Sequence, residues 1–321
     1  MSESDLEDAQ HPRVSEPGGG SHGGGAGGQV PGAASGCEIV VARHAGYCYG
    51  VERALGLADD ALASGERPVA TLGPIIHNPR VVEALSRRGI GVVGDVDEFE
   101  RGTLVVRTHG VAPEVVAAAR ARGLAVVDAT CPFVAVAQRK ARALHEAGYT
   151  VVILGEHDHP EVAGLQGFAG GEAIVVAEPD DVPVQRLRGR RVGVVVQTTQ
   201  AREALARLAA ALAPLARELL VYNTVCDATE KRQAAACELA ARVDVVIVVG
   251  GRNSANTKRL AQLCGEIQVR THHVESAAEV RAEWVAGARR VGVAAGASTP
   301  DEEIAATIAR LRELCGAHGG R

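Results

Sequence analysis

Cys48, Cys131 and Cys226 each close an apolar, strand-like run and stand directly before a helix-patterned stretch, in ARHAGYCYGVERAL, VVDATCPFVAVAQRKARAL and VYNTVCDATEKRQAAACELAA. They lie 83 and 95 residues apart, so they cannot share one local zinc-finger or CxxC loop. A common task requires a centre where three similar segments meet. Three thiolates without a fourth suit an iron-sulfur cluster with one iron left open to substrate, because electron-transfer clusters ordinarily take four cysteines. Zinc held by three Cys and one His is the competing chemistry, and spacing does not separate the two. Cys37, Cys237, Cys264 and Cys315 do not recur in register and read as incidental.

Around the cysteines the chain repeats itself. Each Cys-helix is followed by a strand with a polar tip, in VATLGPIIHNP, TVVILGEHDHPE and VVIVVGGRNSANT. A short apolar run with an acidic turn comes next (VVGDVDEF, IVVAEPDDV, HHVESAAEV), then a second tip (TLVVRTHGVAPE, VGVVVQTTQARE, VGVAAGASTPDE). Helices are expected at 113–122, 201–213 and 300–315. In the helix after Cys48, Val51, Leu55, Ala58 and Leu62 fall on one face, with Glu52, Arg53 and Asp59 opposite.

Apolar runs alternating with helical stretches indicate α/β units with mainly parallel strands. The first two repeats close with the next cysteine strand, whereas the third ends in helix, which leaves EIVVARHAGYC unmatched at the other end of the chain. The expected architecture is therefore three similar small α/β domains around a common centre. They cover 49–131, 132–226 and 227–321, the last completed by the strand at 37–48. Residues 1–36 are polar and Gly-rich and read as a disordered tail.

In such sheets ligands bind beyond the carboxyl ends of the strands. Six polar tips meet there: His77 with Asn78, His109, His157 with His159 and Glu161, Thr198 with Thr199, Ser254 with Asn256, and Ser298 with Thr299. Neutral donors at helix N-termini suit phosphate or diphosphate. There is no Walker A or GxGxxG run, so a nucleotide is not indicated. Glu161 is the carboxylate nearest this donor-rich site, and partial burial beside an anion would make it a proton donor.

Composition narrows the class. The 321 residues are 46% hydrophobic with only three Phe, one Trp and four Tyr, so the cores are aliphatic, which favours helices on parallel strands. A net charge of −5 and the lack of a basic run argue against nucleic acid. No apolar run approaches the ~18 residues that span a bilayer, and the acidic SESDLED start is not a secretory signal. An odd cysteine count without CxxC spacing points to reduced thiols and a cytoplasmic location.

The ordered motifs HAGYCYGVERAL, GPIIHNP, THGV, DATCP, HPEV, QTT, NSANT and AGASTPD, with the region around Cys226, resemble the 4-hydroxy-3-methylbut-2-enyl diphosphate reductase (LytB) family over residues 38–315. The resemblance implies a pseudo-threefold trefoil around one four-iron four-sulfur cluster, with Cys48, Cys131 and Cys226 as its three ligands and one iron open. It implies two-electron reductive removal of the substrate hydroxyl as water, giving isopentenyl or dimethylallyl diphosphate, the last step of the non-mevalonate isoprenoid pathway. Carried over by position, His77, His109, His159, Ser254, Asn256 and Ser298 would hold the diphosphate, Thr198 would orient the hydroxyl, and Glu161 would relay protons with His159 close by. Ala255 departs from the pattern, since many relatives place a second serine there, which removes one diphosphate hydrogen bond. The family further implies a monomer fed by a ferredoxin or flavodoxin. Two other readings fit the same residues: a non-redox iron-sulfur hydro-lyase, active without a reductant, and a non-catalytic diphosphate-binding redox sensor, without turnover.

Overall fold

Runs of Val, Ile and Leu with both faces apolar form strands that need cover on both sides. In the computed structural model, which describes residues 37–318, twelve such strands make three four-stranded, wholly parallel sheets. The first sheet has the order β3 (Ile90–Val93), β2 (Val69–Leu72), β4 (Thr103–Val106), β5 (Ala125–Asp128). The second repeats it with β7 (Ile174–Val176), β6 (Thr150–Leu154), β8 (Arg191–Val196), β9 (Glu218–Val221). The third runs β11 (Thr271–Val274), β10 (Val245–Val249), β12 (Arg290–Ala295), and its fourth place is taken by β1 (Glu38–Val41) from the other end of the chain. The three parallel-sheet α/β units anticipated from the alternating pattern are therefore present.

The inner strands carry the core. All five residues of β10 are buried, as are all four of β2 and of β4. Each fully buried Val, Leu or Ile contributes about 1.5–3 kcal/mol relative to exposure. Outer strands are only partly buried, β9 and β1 among them.

Helices follow the strands. Those after the cysteines are α1 (Tyr49–Ser64), α4 (Pro132–Glu146) and α8 (Asp227–Ala240); the first tips lead into α2 (Pro79–Arg87), α5 (Pro160–Phe168) and α9 (Ala255–Ile267); the second tips lead into α3 (Pro113–Ala121), α7 (Arg202–Leu212) and α11 (Asp301–His318). Two short turns, α6 (Val184–Leu187) and α10 (Ala282–Val285), complete the set among the described residues. Proline opens α2, α3, α4 and α5, where its missing N–H would have no helical partner and its fixed φ suits the first turn.

One expected stripe shifts. In α1 the fully buried line runs through Val51, Ala54, Ala58 and Ala61, while Leu55 and Leu62 are only half-buried. Small alanines let the helix sit close to the sheet and push the longer leucines to the flank. Arg53, placed on the solvent face, instead donates to the Thr130 carbonyl at 3.1 Å. The reading of 1–36 as a tail lies outside the described residues.

β1 pairs in register with β12 from Glu38↔Arg290 to Val41↔Val293, and Ile39 and Val40 pack on opposite faces of the third sheet. Deleting residues 38–47 is expected to raise hydrogen exchange in β10 and β12, and exchange unchanged in both strands would contradict that coupling.

Candidate active site

The same backbone contact is made three times where strands end. The Cys48 N–H donates to the Ala297 carbonyl at 3.2 Å, the Cys131 N–H to Thr108 at 2.9 Å, and the Cys226 N–H to Thr198 at 3.0 Å. Each cysteine is thereby tied to a second polar tip. Each is also the N-cap residue of its helix, α1, α4 or α8. None makes a formal capping bond as a neutral thiol, but the N–H groups of Phe133 and Val134 face the Cys131 sulfur, and those of Ala228 and Thr229 face Cys226. Such N–H groups and the helix dipole favour a thiolate.

Burial opposes it. Desolvation pushes the Cys131 thiol up to about 11, with smaller contributions from the other two cysteines, and raises Cys226 as well. A bound cation would reverse that balance, since metal ligation requires the thiolate. Gly50 leaves the room, because a Cβ there would lie 2.6 Å from the Cys131 sulfur and 3.9 Å from that of Cys48. Three convergent soft donors beside an open space fit an iron-sulfur cluster.

The three thiols line one cavity of about 740 Å³, counting the part open to solvent. His77, His109, His159, Glu161, Thr198, Thr199, Ser254, Ala255, Asn256 and Ser298 line it too, so the structure brings every proposed ligand and catalytic position to one place. Three of the polar tip residues stand apart. His157 is exposed. Asn78 is an N-cap whose side chain accepts from Arg80 and Val81 and donates to the Ser298 carbonyl at 2.8 Å, joining the first and third units. Thr299 is likewise structural, bonded to the Val249 carbonyl at 3.0 Å.

The three histidines form a tight group, with ring centroids 4.2 Å apart for His77 and His109, 5.2 Å for His77 and His159, and 5.3 Å for His109 and His159. His159 caps α5 through Nδ1, which accepts the Glu161 N–H at 3.1 Å, and so turns its other nitrogen inward. Burial lowers His77 to about 4 and His159 to about 3, and holds His109 well below the usual range; each also feels Arg107. At neutral pH they are uncharged donors. His77 Nε2, His109 Nδ1 and both side-chain heteroatoms of Asn256 are buried without a protein partner. Orphaned polar atoms around a cavity call for a polar ligand.

Glu161 is buried between this group and Thr198. Its carboxylate accepts the Thr198 N–H at 2.7 Å and the Thr198 hydroxyl at 2.9 Å. Burial raises it to about 7 although both bonds pull the other way. An acid poised there can give a proton at neutral pH.

The family described as LytB protein matches residues 39–312. The chain belongs to the LytB family. It is 48% identical over 279 residues to the 4-hydroxy-3-methylbut-2-enyl diphosphate reductase of Geobacter sp. (strain M21), covering 86% of this chain and 98% of that one. It is 43% identical over 282 residues to the enzyme of the same name from Aquifex aeolicus (strain VF5), covering 87% and 97%. A solved (E)-4-hydroxy-3-methyl-but-2-enyl diphosphate reductase, described as the terminal enzyme of the non-mevalonate pathway, superposes with a TM-score of 0.64 at 42% identity, covering 86% and 99%. The Plasmodium falciparum E-1-hydroxy-2-methyl-but-2-enyl-4-diphosphate reductase gives 0.79 at 24% identity over 85% and 87%, a likeness of fold.

Two arginines of this LytB-family chain escaped the sequence reading. Arg232, in α8 six residues after Cys226, is 5% exposed and lines the cavity. It donates to the Gly46 carbonyl at 2.7 Å and to Ala228 at 3.3 Å. One guanidinium thus fastens the loop before Cys48 to the helix that starts at Cys226. Arg107, in the RTHG tip, places its guanidinium where a side chain on Gly73 would stand, 2.3 Å from that Cβ position. Among the described residues no carboxylate pairs with either, and their Nε atoms lack partners. RTHG and TEKRQ do place an arginine near each motif, but neither spacing says which way the side chain turns. Replacing Arg232 with Met is expected to cost about 1–3 kcal/mol of stability and to speed hydrogen exchange at Tyr47 and Cys48. Unchanged exchange there would remove the fastening role.

Proposed function

We propose that the chain reductively removes the hydroxyl of 4-hydroxy-3-methylbut-2-enyl diphosphate, taking two electrons and two protons and releasing water with isopentenyl or dimethylallyl diphosphate. The observation that carries this reading is the shared cavity. Three half-buried thiols line it together with three uncharged histidines and an unpartnered Asn256. The names of relatives 43–48% identical over nearly their whole length support the reductase reading over the hydro-lyase and sensor alternatives.

In this reading Cys48, Cys131 and Cys226 hold one four-iron four-sulfur cluster with an open iron. When bound, that cluster supplies electrons and a Lewis-acidic iron. His77, His109, His159, Ser254, Asn256 and Ser298 hold the diphosphate, with the nearby Arg107 and Lys258 adding positive potential to the histidine group. Ser254 caps α9, accepting from the Thr257 N–H at 3.3 Å, so the start of that helix also faces the anion. Ala255 beside it is buried and offers no side-chain donor. The Thr198 hydroxyl orients the substrate hydroxyl, and Glu161 passes a proton through it.

The three sheets serve as three domains, the third completed by the segment 37–48, whose strand part is β1. The enzyme is placed in the cytoplasm as a monomer that draws electrons from a ferredoxin or flavodoxin. Among the described residues no helix is long and apolar enough to cross a membrane. Anaerobic assembly of the cluster followed by turnover with a chemical reductant tests the proposal. Both isomeric products are expected; activity without any reductant would favour the hydro-lyase.

A further inference from the structure

Four of the seven cysteines lie away from the cavity, and in the fold they fall into two neighbouring pairs. Cys237 on α8 is close to Cys264 on α9, while Cys37, directly before β1, neighbours Cys315 on α11, with the Cys37 thiol directed at the Glu38 carbonyl 4.0 Å away. Register could not reveal these pairs, because proximity and not repetition relates their members.

The second pair joins opposite ends of the described chain, 278 residues apart. β1 is an edge strand that bonds to β12 alone, and α11 packs against β1. Cys37 rests on the apolar cluster that contains Leu311 and Leu314, the α11 residues one turn and one position before Cys315. Cys315 is buried, Cys37 is partly exposed, and both are free thiols.

We propose that Cys37 and Cys315 form a reversible disulfide clasp between the first strand and the last helix. A low-molecular-weight disulfide RSSR serves as oxidant. One cysteine loses its proton, attacks a sulfur of RSSR and expels RS⁻, which takes up a proton to leave RSH. The other cysteine, deprotonated in turn, displaces the remaining RS group as a second RSH. Two protein thiols and one RSSR thus become one protein disulfide and two RSH, and excess thiol reverses the exchange.

Burial raises the Cys37 thiol to about 12, with Cys315 on α11 and Asp244 before β10 adding to it. Thiolate is therefore scarce at neutral pH, and closure is slow. The clasp would pin to its sheet the strand whose chain reaches Cys48 seven residues beyond Val41. The other pair supplies a built-in comparison. Cys264 is fully buried, and its thiol is directed at the Ala236 carbonyl, 3.7 Å away.

The full-length, cluster-loaded protein is incubated anaerobically for hours with oxidised glutathione, quenched in acid, alkylated with N-ethylmaleimide and mapped without reduction. The expected product is a peptide cross-linked between Cys37 and Cys315. It is absent from Cys37→Ser and Cys315→Ser and is reversed by dithiothreitol. The oxidised wild type should melt several degrees above its reduced form, a difference that both variants lack. Recovery of both residues as maleimide adducts, or as separate glutathione adducts, would overturn the proposal. Equal cross-linking of Cys237 to Cys264 would also overturn it, because the fully buried Cys264 reacts only when the fold opens, and the reaction would then follow unfolding. Turnover plays no part in the readout, so this outcome stands apart from that of the proposed activity.

Discussion

Glu161→Gln is expected to lower turnover by about 100-fold or more while leaving cluster content and substrate affinity close to those of the parent. The carboxyl group is 1% exposed, fixed by two bonds from Thr198, and raised to about 7 by burial. Glutamine keeps the shape but cannot give a proton. The sign of the pH dependence follows from the acid form being the donor. Below pH 7 most of Glu161 is protonated, and above it the donor fraction falls about tenfold per unit. The parent rate should decline as pH rises through about 7, and the residual rate of the variant should show no inflection there. A variant that kept a third of the parent rate, or the same inflection, would remove Glu161 from the proton path.

Serine in place of Cys48, Cys131 or Cys226 should reduce bound iron and sulfide by about tenfold or more, because an alcohol ionises far less readily than a thiol and makes a poor ligand to iron. Cys264→Ser should retain both, since that side chain is packed against α8 away from the cavity. Iron and sulfide measured on all four purified variants check this. Equal cluster content in the Cys48, Cys131 and Cys264 variants would refute the assignment of the first two as ligands.

The parallel α/β pattern was open to the eye because both faces of runs such as VVIVV are apolar, and that property is local. Glu161 was legible for a similar reason: HPE places an acid in the first turn of a helix after a polar tip. Arg107 and Arg232 were not legible. Their positions depend on Gly73 and Gly46, which reach them only through the folded chain. Asn78 and Thr299 show the opposite error. Both look like ligands in one dimension, and both spend their polar groups on the backbone of their own loops or of a neighbour. The ties from the cysteine N–H groups to Ala297, Thr108 and Thr198 were hidden as well, because a backbone acceptor has no sequence signature.

The most direct test is made on one anaerobically reconstituted sample, in which iron, sulfide and zinc are quantified before 4-hydroxy-3-methylbut-2-enyl diphosphate and a reductant are added. About four irons and four sulfides per chain are expected, with both isomeric diphosphates formed only when reductant is present. Zinc in place of iron, or an intact cluster that yields neither product, would contradict that expectation.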